Sequence, residues 1–510
     1  MPPVGPATAE PGMRADLATS PGVTCPSHVD AILFQTRWDS HRPAIATEGG
    51  ILTYGRLAEA ILAAAARCAQ AGLQAGTVVG LAVRDPVWHV CLVCALHRLG
   101  VISTSIEPSE GGLPLGFAAI LYDKDRPGGF IGAAIQVDAG WFAAQPGQPA
   151  APVVPFGARD VCRVVLSSGT TGAPKPIAMS PEILWDRITA YSLRGSLAAS
   201  QRIFCGPTLR SQFGFVIAST ALAYGKMLCF AESAATAVAV MSFCGADLAL
   251  FSPNQLVDLI DEQTRSRGGL ATLREIQCSG AFLSDSLLHR LRTVLPVPVL
   301  NSYASTEAGT TAIATAEALA TMKIEGAAGF IVPWARVDAC DDTGDPLPTG
   351  QEGSLRVRAL GMAAPFERGM TTVSPSAAFF PGDFGRVLDD GTLVVSGRID
   401  DVINFGGDKL AADSLVRRIL RCPGVQDAGV IAVDGALGLP ELHVAVVASG
   451  PIDDIQIARS CTEVRRFAKP VAIHRLDAIP RNAMGKVVPA ELRREVLSRA
   501  VPKRPPASDD

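Results

Sequence analysis

The 510-residue chain has no marked excess of either charge. Its formal net charge is −4, and Asp, Glu, Lys and Arg make up only 18% of it. That balance gives no reason to propose nucleic acid as a main partner, because such proteins present a strongly basic face. Long apolar runs are missing as well. Each one is broken by Gly, Lys, Asp or Arg well short of a membrane span, so no transmembrane segment is expected. Residues 1–24 are rich in Pro, Ala and Gly and hold no continuous apolar stretch of the kind a signal peptide needs. Residues 1–28 are therefore expected to be a flexible leader. Cysteine is plentiful, at twelve, but paired motifs are not. The one C-x-x-C, Cys91 and Cys94, has His89 and His97 nearby but no second cysteine pair. It lies in an apolar helical stretch, Val87 to Leu99, so buried reduced thiols fit better than a zinc or redox site. Scattered, embedded cysteines also suit a cytoplasmic protein.

An apolar content of 48% describes a globular chain, and the length exceeds what one core usually holds, so two or more domains are expected. Leu52–Leu57 leads into an alanine-rich helix through about Cys68. A short strand at 78–83, a helix at 87–99 and a further strand from Val101 follow. This alternation implies an α/β fold with a mostly parallel, helix-covered sheet. Residues 108–158 are Gly- and Pro-rich and read as a trimmed or irregular segment.

The chain turns on Ser167-Ser168-Gly169-Thr170-Thr171-Gly172-Ala173-Pro174-Lys175. Asp160–Leu166 before it reads as a buried strand, so a strand opens into a loop that is small, hydroxylated and cationic. Glycines let backbone N–H groups approach a ligand, hydroxyls donate hydrogen bonds and Lys175 adds a point charge, a combination suited to polyphosphate. The alternative is a polar surface turn, though such turns rarely pack so many donors after a buried strand. A Walker loop is excluded. Pro174 stands where that motif needs its second glycine, and Pro176 follows the lysine where Ser or Thr would be. Two prolines also forbid an immediate helix, and the next helix start is signalled at Ser180-Pro181-Glu182.

This stretch resembles the S-S-G-T-T-G-x-P-K-G loop of the adenylate-forming superfamily, which includes acyl-CoA synthetases, nonribosomal adenylation domains and luciferases. Pro176 replaces the last glycine. Further motifs follow in the family's order. Ser279-Gly280-Ala281 ends a strand and resembles the adenine-binding G-G-A turn. Tyr303-Ala304-Ser305-Thr306-Glu307 resembles Y-G-x-T-E, with Ala304 for glycine. Phe379–Asp383 matches [YF]-x-T-G-D with Pro381 for threonine, Gly397–Asp401 matches G-R-x-D-D, and Pro480–Lys486 resembles P-[RK]-[TN]-x-x-G-K. The resemblance covers roughly residues 30–495.

The resemblance implies a domain over 29–399 made of helix-covered β-sheets with a small barrel-like subdomain. It also implies a small mobile α/β lid over 400–500. Independently of it, residues 501–510 are expected to be a disordered tail. Ser167, Ser168, Gly169, Thr170, Thr171, Gly172 and Lys175 would grip phosphates, with Gly280, Ala281 and Tyr303 at the adenine. Thr306 would donate to the α-phosphate and Glu307 would hold Mg2+, a hard cation that wants carboxylate oxygen. Asp383 would accept from both ribose hydroxyls, and Arg398 would reach ribose or phosphates. Asp400 would be the hinge and Lys486 a catalytic finger between the acyl carboxylate and the α-phosphate. Phe213, Gly214 and Ala304 would line the acyl pocket. Alanine at 304 leaves room for an acid larger than acetate. No Asp lies between Pro207 and Tyr224 to pair an α-ammonium group, so α-amino acids are disfavoured. Arg210 and Gln212 are read chiefly as facing solvent or a domain interface, with contact to a polar group on the acid as the alternative.

The implied activity is a two-step ligation. ATP and a small-molecule carboxylic acid give acyl-AMP and pyrophosphate, and a thiol then takes the acyl group. CoA is the favoured acceptor and the phosphopantetheine of an acyl carrier protein the alternative. Ala412, Ser414 and Val416 replace residues of the usual post-hinge P-x-E-[IV]-E, which keeps that second acceptor open. A catalytically silent nucleotide- or acyl-binding relative is the reading from another class. Lys175, Glu307, Asp383 and Lys486 all being present argues against it.

Overall fold

The computed structural model describes residues 27–145, 147, 149–167, 174–266, 269–281, 283, 285–399, 402–405, 408–434, 440–464, 470–481 and 487–500. They form two compact units. The first comprises Met1–Glu232, Phe243–Ala246 and Leu360–Ser376, and the second Ser233–Ser242, Asp247–Ala359 and Ala377–Asp510. Elements are numbered along the chain.

In the first unit, helix α1 is His28–Trp38, α2 Tyr54–Gln70 and α3 Pro86–Arg98. Thr53 caps α2 by accepting from the Arg56 amide, and Leu57, Ile61 and Ala64 form its buried stripe at helical spacing. Asp85 caps α3 through the Trp88 amide, with proline in the first turn. The thiols of Cys91 and Cys94 are buried inside α3. Burial pushes Cys91 well up and Cys94 up to about 12, so both remain protonated at neutral pH.

Strands β1 (Pro43–Thr47), β2 (Gly50–Thr53), β3 (Val78–Ala82), β4 (Ile102–Ser105), β5 (Phe117–Tyr122), β6 (Ala133–Gln136), β7 (Arg163–Ser167) and β8 (Lys175–Met179) follow in chain order. A seven-stranded sheet has the order β18-β8-β7-β4-β3-β5-β6, where β18 is Ala364–Pro365. Strands β7, β4, β3, β5 and β6 are mutually parallel, while β8 and β18 are antiparallel at one edge. β3 and β4 are buried along their whole length, as parallel strands covered on both faces must be. Residues 108–158, expected to be irregular, in fact supply β5 and β6 to this sheet. Phe117–Tyr122 carries the apolar run that its glycine-rich flanks obscure.

Helix α4 (Pro181–Ser192) starts where the sequence signals it, with Ser180 accepting from the Ile183 amide. Helix α5 is Gly195–Ala199, and α6 (Gln212–Ala223) lies between β9 (Arg202–Cys205) and β10 (Met227–Cys229). These two strands continue the run β9-β10-β1-β2.

In the second unit, β11 (Leu248–Phe251), β12 (Glu275–Ser279) and β13 (Val299–Ser305) are parallel. β14 (Gly309–Thr315), β15 (Ala327–Ile331), β20 (Thr392–Arg398), β19 (Asp383–Val387), β17 (Gly353–Ala359) and β16 (Ala335–Cys340) then pair antiparallel in that order. This run curls. β16 touches β14 and β15, although β17, β19 and β20 lie between them in strand order. A curled antiparallel run is the barrel-like piece expected here. Past residue 400 come the hairpin β21 (Val402–Phe405) with β22 (Asp408–Ala411), then helix Ala412–Ile419. β23 (Val425–Asp434), β24 (Pro440–Ala448) and β25 (Pro470–Arg475) complete the unit's strands. Leu415, Ile419, Val430, Val444, Val446 and Ile457 bury together as a core built within this C-terminal stretch.

No helix among the described residues is long and apolar enough to cross a membrane.

Candidate functional site

Strand β7 carries the chain to the signature loop, and β8 carries it away. Ser167 and Lys175 face each other in the ladder, and the Ser167 hydroxyl donates to the Lys175 carbonyl at 3.3 Å. Two residues predicted to bind phosphate thus close the β7–β8 ladder. Ser168, Gly169, Thr170, Thr171 and Gly172 lie outside the described residues, as do Asp400 and Lys486.

The second unit gathers three predicted residues into one contact. The first residue of β19, Asp383, lies directly opposite the last of β20, Arg398, so the two motifs form a cross-strand pair. Arg398 Nη1 donates to Asp383 Oδ1 at 2.7 Å and to the Pro381 carbonyl at 2.7 Å. The Tyr303 hydroxyl, from β13, donates to the other carboxylate oxygen. In strand order, β14, β15 and β20 separate β13 from β19. Flat strands would hold them about 19 Å apart, so only the curl of this run lets one phenol bridge them.

Burial, the Asp383 charge and the hydrogen bond to it together hold the Tyr303 phenol far above its usual range, against the pull of Arg398. It stays a donor. A carboxylate offers about four acceptor positions, and these two bonds occupy two. Those left over can serve two neighbouring hydroxyls. Among the described residues, Arg398 Nε is buried without a partner, a donor with unspent capacity beside the same carboxylate.

Gly280, at the end of β12, has φ +103°, and a Cβ there would meet nothing within 4 Å. Open space and a left-handed backbone at a strand's carboxyl end suit a flat ring. Ala281 follows it, half-buried. The strand end itself is fixed by Ser279, whose hydroxyl donates to the Ser302 carbonyl on β13 at 3.0 Å. Thr306 and Glu307 form the tight turn between β13 and β14, and both are half-buried. The Ser305 hydroxyl holds that turn by accepting from the Ala308 amide. No cluster of three or more metal-ligating side chains occurs among the described residues. A single turn carboxylate fits Mg2+, which takes one or two carboxylates and completes its shell with water and phosphate.

In the first unit, the loop 206–211 and the start of α6 carry the expected acyl wall. Ser211 caps α6 through the Gly214 amide at 3.1 Å. A Cβ on Gly214 would lie 2.3 Å from the Thr208 carbonyl oxygen and 2.6 Å from that of Pro207, so the helix packs directly on loop backbone. Phe213 is half-buried, as is Ala304 in the second unit. Arg210 does not simply face solvent. It donates to Glu107 at 3.2 Å and Glu110 at 2.6 Å. Gln212 is buried, and its amide atoms have no hydrogen-bond partner among the described residues. The expectation of solvent exposure is therefore corrected for Gln212, while Arg210, its side chain 34% exposed, is paired but still partly in solvent.

One residue of this unit escaped the sequence reading. Arg163, on β7, is 2% exposed. It is a charge inside the apolar run Asp160–Leu166, and that interruption was the available signal.

The AMP-binding enzyme family matches residues 123–365. The chain is 26% identical over 494 residues to 4-chlorobenzoate–CoA ligase from Arthrobacter, covering 89% of this chain and 93% of the relative. It is 26% identical over 371 residues to enterobactin synthase component E from Escherichia coli, covering 68% of this chain and 67% of the relative. The fold matches o-succinylbenzoate CoA synthetase from Bacillus subtilis in complex with its acyl-adenylate, with a TM-score of 0.79 at 20% identity over 91% of this chain and 97% of that one. Curled strand run, AMP-binding match and relatives all point the same way: the chain is similar to the adenylate-forming superfamily of AMP-binding enzymes.

Proposed function

We propose that this chain is an ATP-dependent acid–thiol ligase. The acid's carboxylate oxygen attacks the ATP α-phosphorus. A P–O bond forms, the bond to the bridging oxygen breaks, and pyrophosphate leaves. A thiol then adds to the acyl carbonyl of the mixed anhydride, loses its proton and expels AMP. The observation that carries this reading is the Tyr303–Asp383–Arg398 contact, a buried carboxylate with acceptor capacity left for a ribose diol.

In this reading Asp383 receives the ribose hydroxyls, oriented by Tyr303 and Arg398. Gly280 and Ala281 leave room for adenine, against the Tyr303 ring. Ser167, Ser168, Gly169, Thr170, Thr171, Gly172 and Lys175 grip phosphates, and Thr306 donates to the α-phosphate. Glu307 holds Mg2+, which supplies positive charge to the crowded phosphate oxygens. Lys486 adds charge where the attacking carboxylate meets phosphorus. Asp400 is the hinge of a lid over 400–500, following a larger domain over 29–399. No side-chain nucleophile is required.

The acid is proposed to be aryl, because the 4-chlorobenzoate and o-succinylbenzoate enzymes both act on substituted benzoates, and Ala304 leaves the pocket open. CoA is the proposed acceptor, in a cytoplasmic setting. One observation favours a carrier-protein phosphopantetheine instead. Ala412 is buried and Val416 packs against the C-terminal core, so neither position offers the acidic side chain usual after the hinge.

ATP–pyrophosphate exchange with a panel of aryl, medium-chain and long-chain acids tests the first step. Offering CoA and a holo carrier protein to the preformed adenylate then tests the second. Lys486→Ala should abolish adenylate formation and spare thioester formation from supplied acyl-AMP. Equal loss of both half-reactions contradicts its role. ATP binding with no exchange on any acid would favour the silent relative.

A further inference from the structure

Arg163 is buried, and among the described residues it has no carboxylate partner, an arrangement that calls for an explanation. Its Nη1 donates to Ser103 Oγ at 3.1 Å, and its Nη2 to Ser105 Oγ at 2.7 Å and to the Leu209 carbonyl at 3.2 Å. Its guanidinium carbon lies 4.0 Å from the centre of the Phe215 ring. These four partners come from β4, from the loop before α6 and from α6 itself.

The network continues with a fixed direction. His89 Nδ1 is 3.0 Å from the Val83 carbonyl, which can only accept, so Nδ1 carries the proton. His89 Nε2 is then the acceptor, and the Ser105 hydroxyl, 2.7 Å away, donates to it. That leaves the Ser105 oxygen to receive Arg163. Each bond on the path from Arg163 Nη2 through Ser105 and His89 to Val83 pairs a donor with an acceptor, and the chain of bonds fixes the carboxyl ends of β3 and β4 to the loop.

A second arginine grips the same loop. Arg210 bridges to Glu107 and Glu110, which follow β4 directly. Segment Ser103–Glu110 is therefore joined to the loop twice, once through Arg163, which also donates to the Leu209 carbonyl, and once directly at the Arg210 side chain. The loop in turn touches Gly214 too closely to admit a methyl group. Loop and first helical turn must move together.

We propose that Arg163 and Arg210 are positioning residues for the acid pocket: they pin loop 207–211 to β4 and its extension, and so set where α6 presents Phe213. Calling this surface the acid pocket rests on the ligase reading above. The pinning itself does not.

The experiment compares wild-type protein with Arg163→Lys, Arg163→Met and Arg210→Ala by hydrogen exchange and by ATP–pyrophosphate exchange, using benzoate, 4-chlorobenzoate and octanoate as probes. Lysine keeps the charge but cannot fork to Ser103 and Ser105 or stack flat on Phe215. Amides of residues 206–215 should exchange about tenfold faster in Arg210→Ala, and faster again in the Arg163 variants, while β11–β13 stay protected. For the acid that supports exchange, its KM should rise about tenfold, and that of ATP less than about twofold. Unchanged exchange over 206–215 in both Arg163→Lys and Arg210→Ala overturns the pinning, as does an equal rise in both KM values. Should Arg163→Met fail to fold, the other two variants still decide. Absence of exchange with every acid in wild type would sink the ligase reading, and the hydrogen-exchange arm would still judge the pinning.

Discussion

Two arginines, one in each unit, sit at a junction of strands, yet their company differs. Arg163 is surrounded by two hydroxyls, a carbonyl and an aromatic ring, all neutral. Arg398 faces a carboxylate that a phenol also holds. Neutral partners let Arg163 order its neighbours, and burial pushes its own pKa down to about 10, so it is still charged at neutral pH. Among the described residues both arginines keep an unpartnered Nε; the Arg398 cluster differs in leaving acceptor positions on Asp383. The first arrangement organises protein against protein. The second is organised protein with capacity left for something else. A site for a polar ligand is recognised by that surplus, more than by the presence of charge.

The sharpest way to break this contrast is to remove the surplus. Asp383→Ala should lower ATP–pyrophosphate exchange on the order of 10²–10³-fold, since it deletes two charge-assisted ligand bonds and strands Arg398 and Tyr303. The loss should appear in the ATP KM and in kcat/KM, with the acid KM little changed. A variant with wild-type exchange would mean that the unspent acceptors serve nothing.

Acid titration should separate the two regions next. His28, His89 and His97 are all buried in the first unit. Burial, then His97 and Arg163, holds the His28 pKa well below its usual value. Burial and then Arg163 bring His89 down to about 4, and burial and then Arg98 do the same for His97. Unfolded histidines titrate near 6.5, so between that value and about 4 the unfolded chain binds more protons. Stability is fully present above pH 6.5 and is lost as pH falls, on the order of 1 kcal/mol per pH unit for each histidine. Urea unfolding from pH 7 to pH 4 should show this decline, with signals from the first unit leading. His28→Phe should flatten it. A flat profile over that range contradicts the burial of neutral imidazoles as the cause.

Much of this was legible along the chain, for reasons that differ by residue. Motif spacing announced the signature loop after a buried strand, the Ser180 cap, the strand end at Ser279 and the strand that carries Tyr303, because each depends on neighbours a few residues away. The individual presence of Tyr303, Asp383 and Arg398 was legible too. Their mutual contact was not, since it follows from the register of β19 on β20 and from the curl of a strand run, which are settled by packing over about a hundred residues. Arg163 was hidden in the opposite way. Periodicity marked its strand as buried, and a buried arginine becomes intelligible only once Ser103, Ser105 and Leu209 arrive from elsewhere. Strands β5 and β6 were lost among the glycines and prolines of 108–158, where turn residues outweighed two short apolar runs.

Between these effects in size falls Gly214→Ala. The added carbon would sit 2.3 Å from the Thr208 carbonyl oxygen, and backbone cannot yield cheaply. Overpacking should cost about 1–3 kcal/mol, measured by urea unfolding, and should raise the acid KM without touching that of ATP. Tolerance of alanine with unchanged stability would show that loop and helix are free to part, and the pinned region would lose its claim to rigidity.

The smallest effect expected is at Tyr303, and it tests how the ligand-facing region is ordered. Tyr303→Phe keeps the ring that would lie against adenine and removes only the hydroxyl that donates to Asp383. Arg398 still holds the other carboxylate oxygen at 2.7 Å, so Asp383 should keep its place but lose one of two restraints. A hydrogen bond to a charged group is worth about 1.5–3 kcal/mol. Water or a ribose hydroxyl can take the vacated acceptor position, however, so the net loss should be nearer 1 kcal/mol, about fivefold in the ATP KM. Tyr303→Ala would remove ring and donor together and should cost more. If phenylalanine and alanine weaken ATP equally, the hydroxyl carries the whole contribution and the ring touches no base. If phenylalanine is silent while alanine is not, Asp383 is positioned by Arg398 alone, and the cross-strand pair at the ends of β19 and β20 is then sufficient to prepare the carboxylate for a diol.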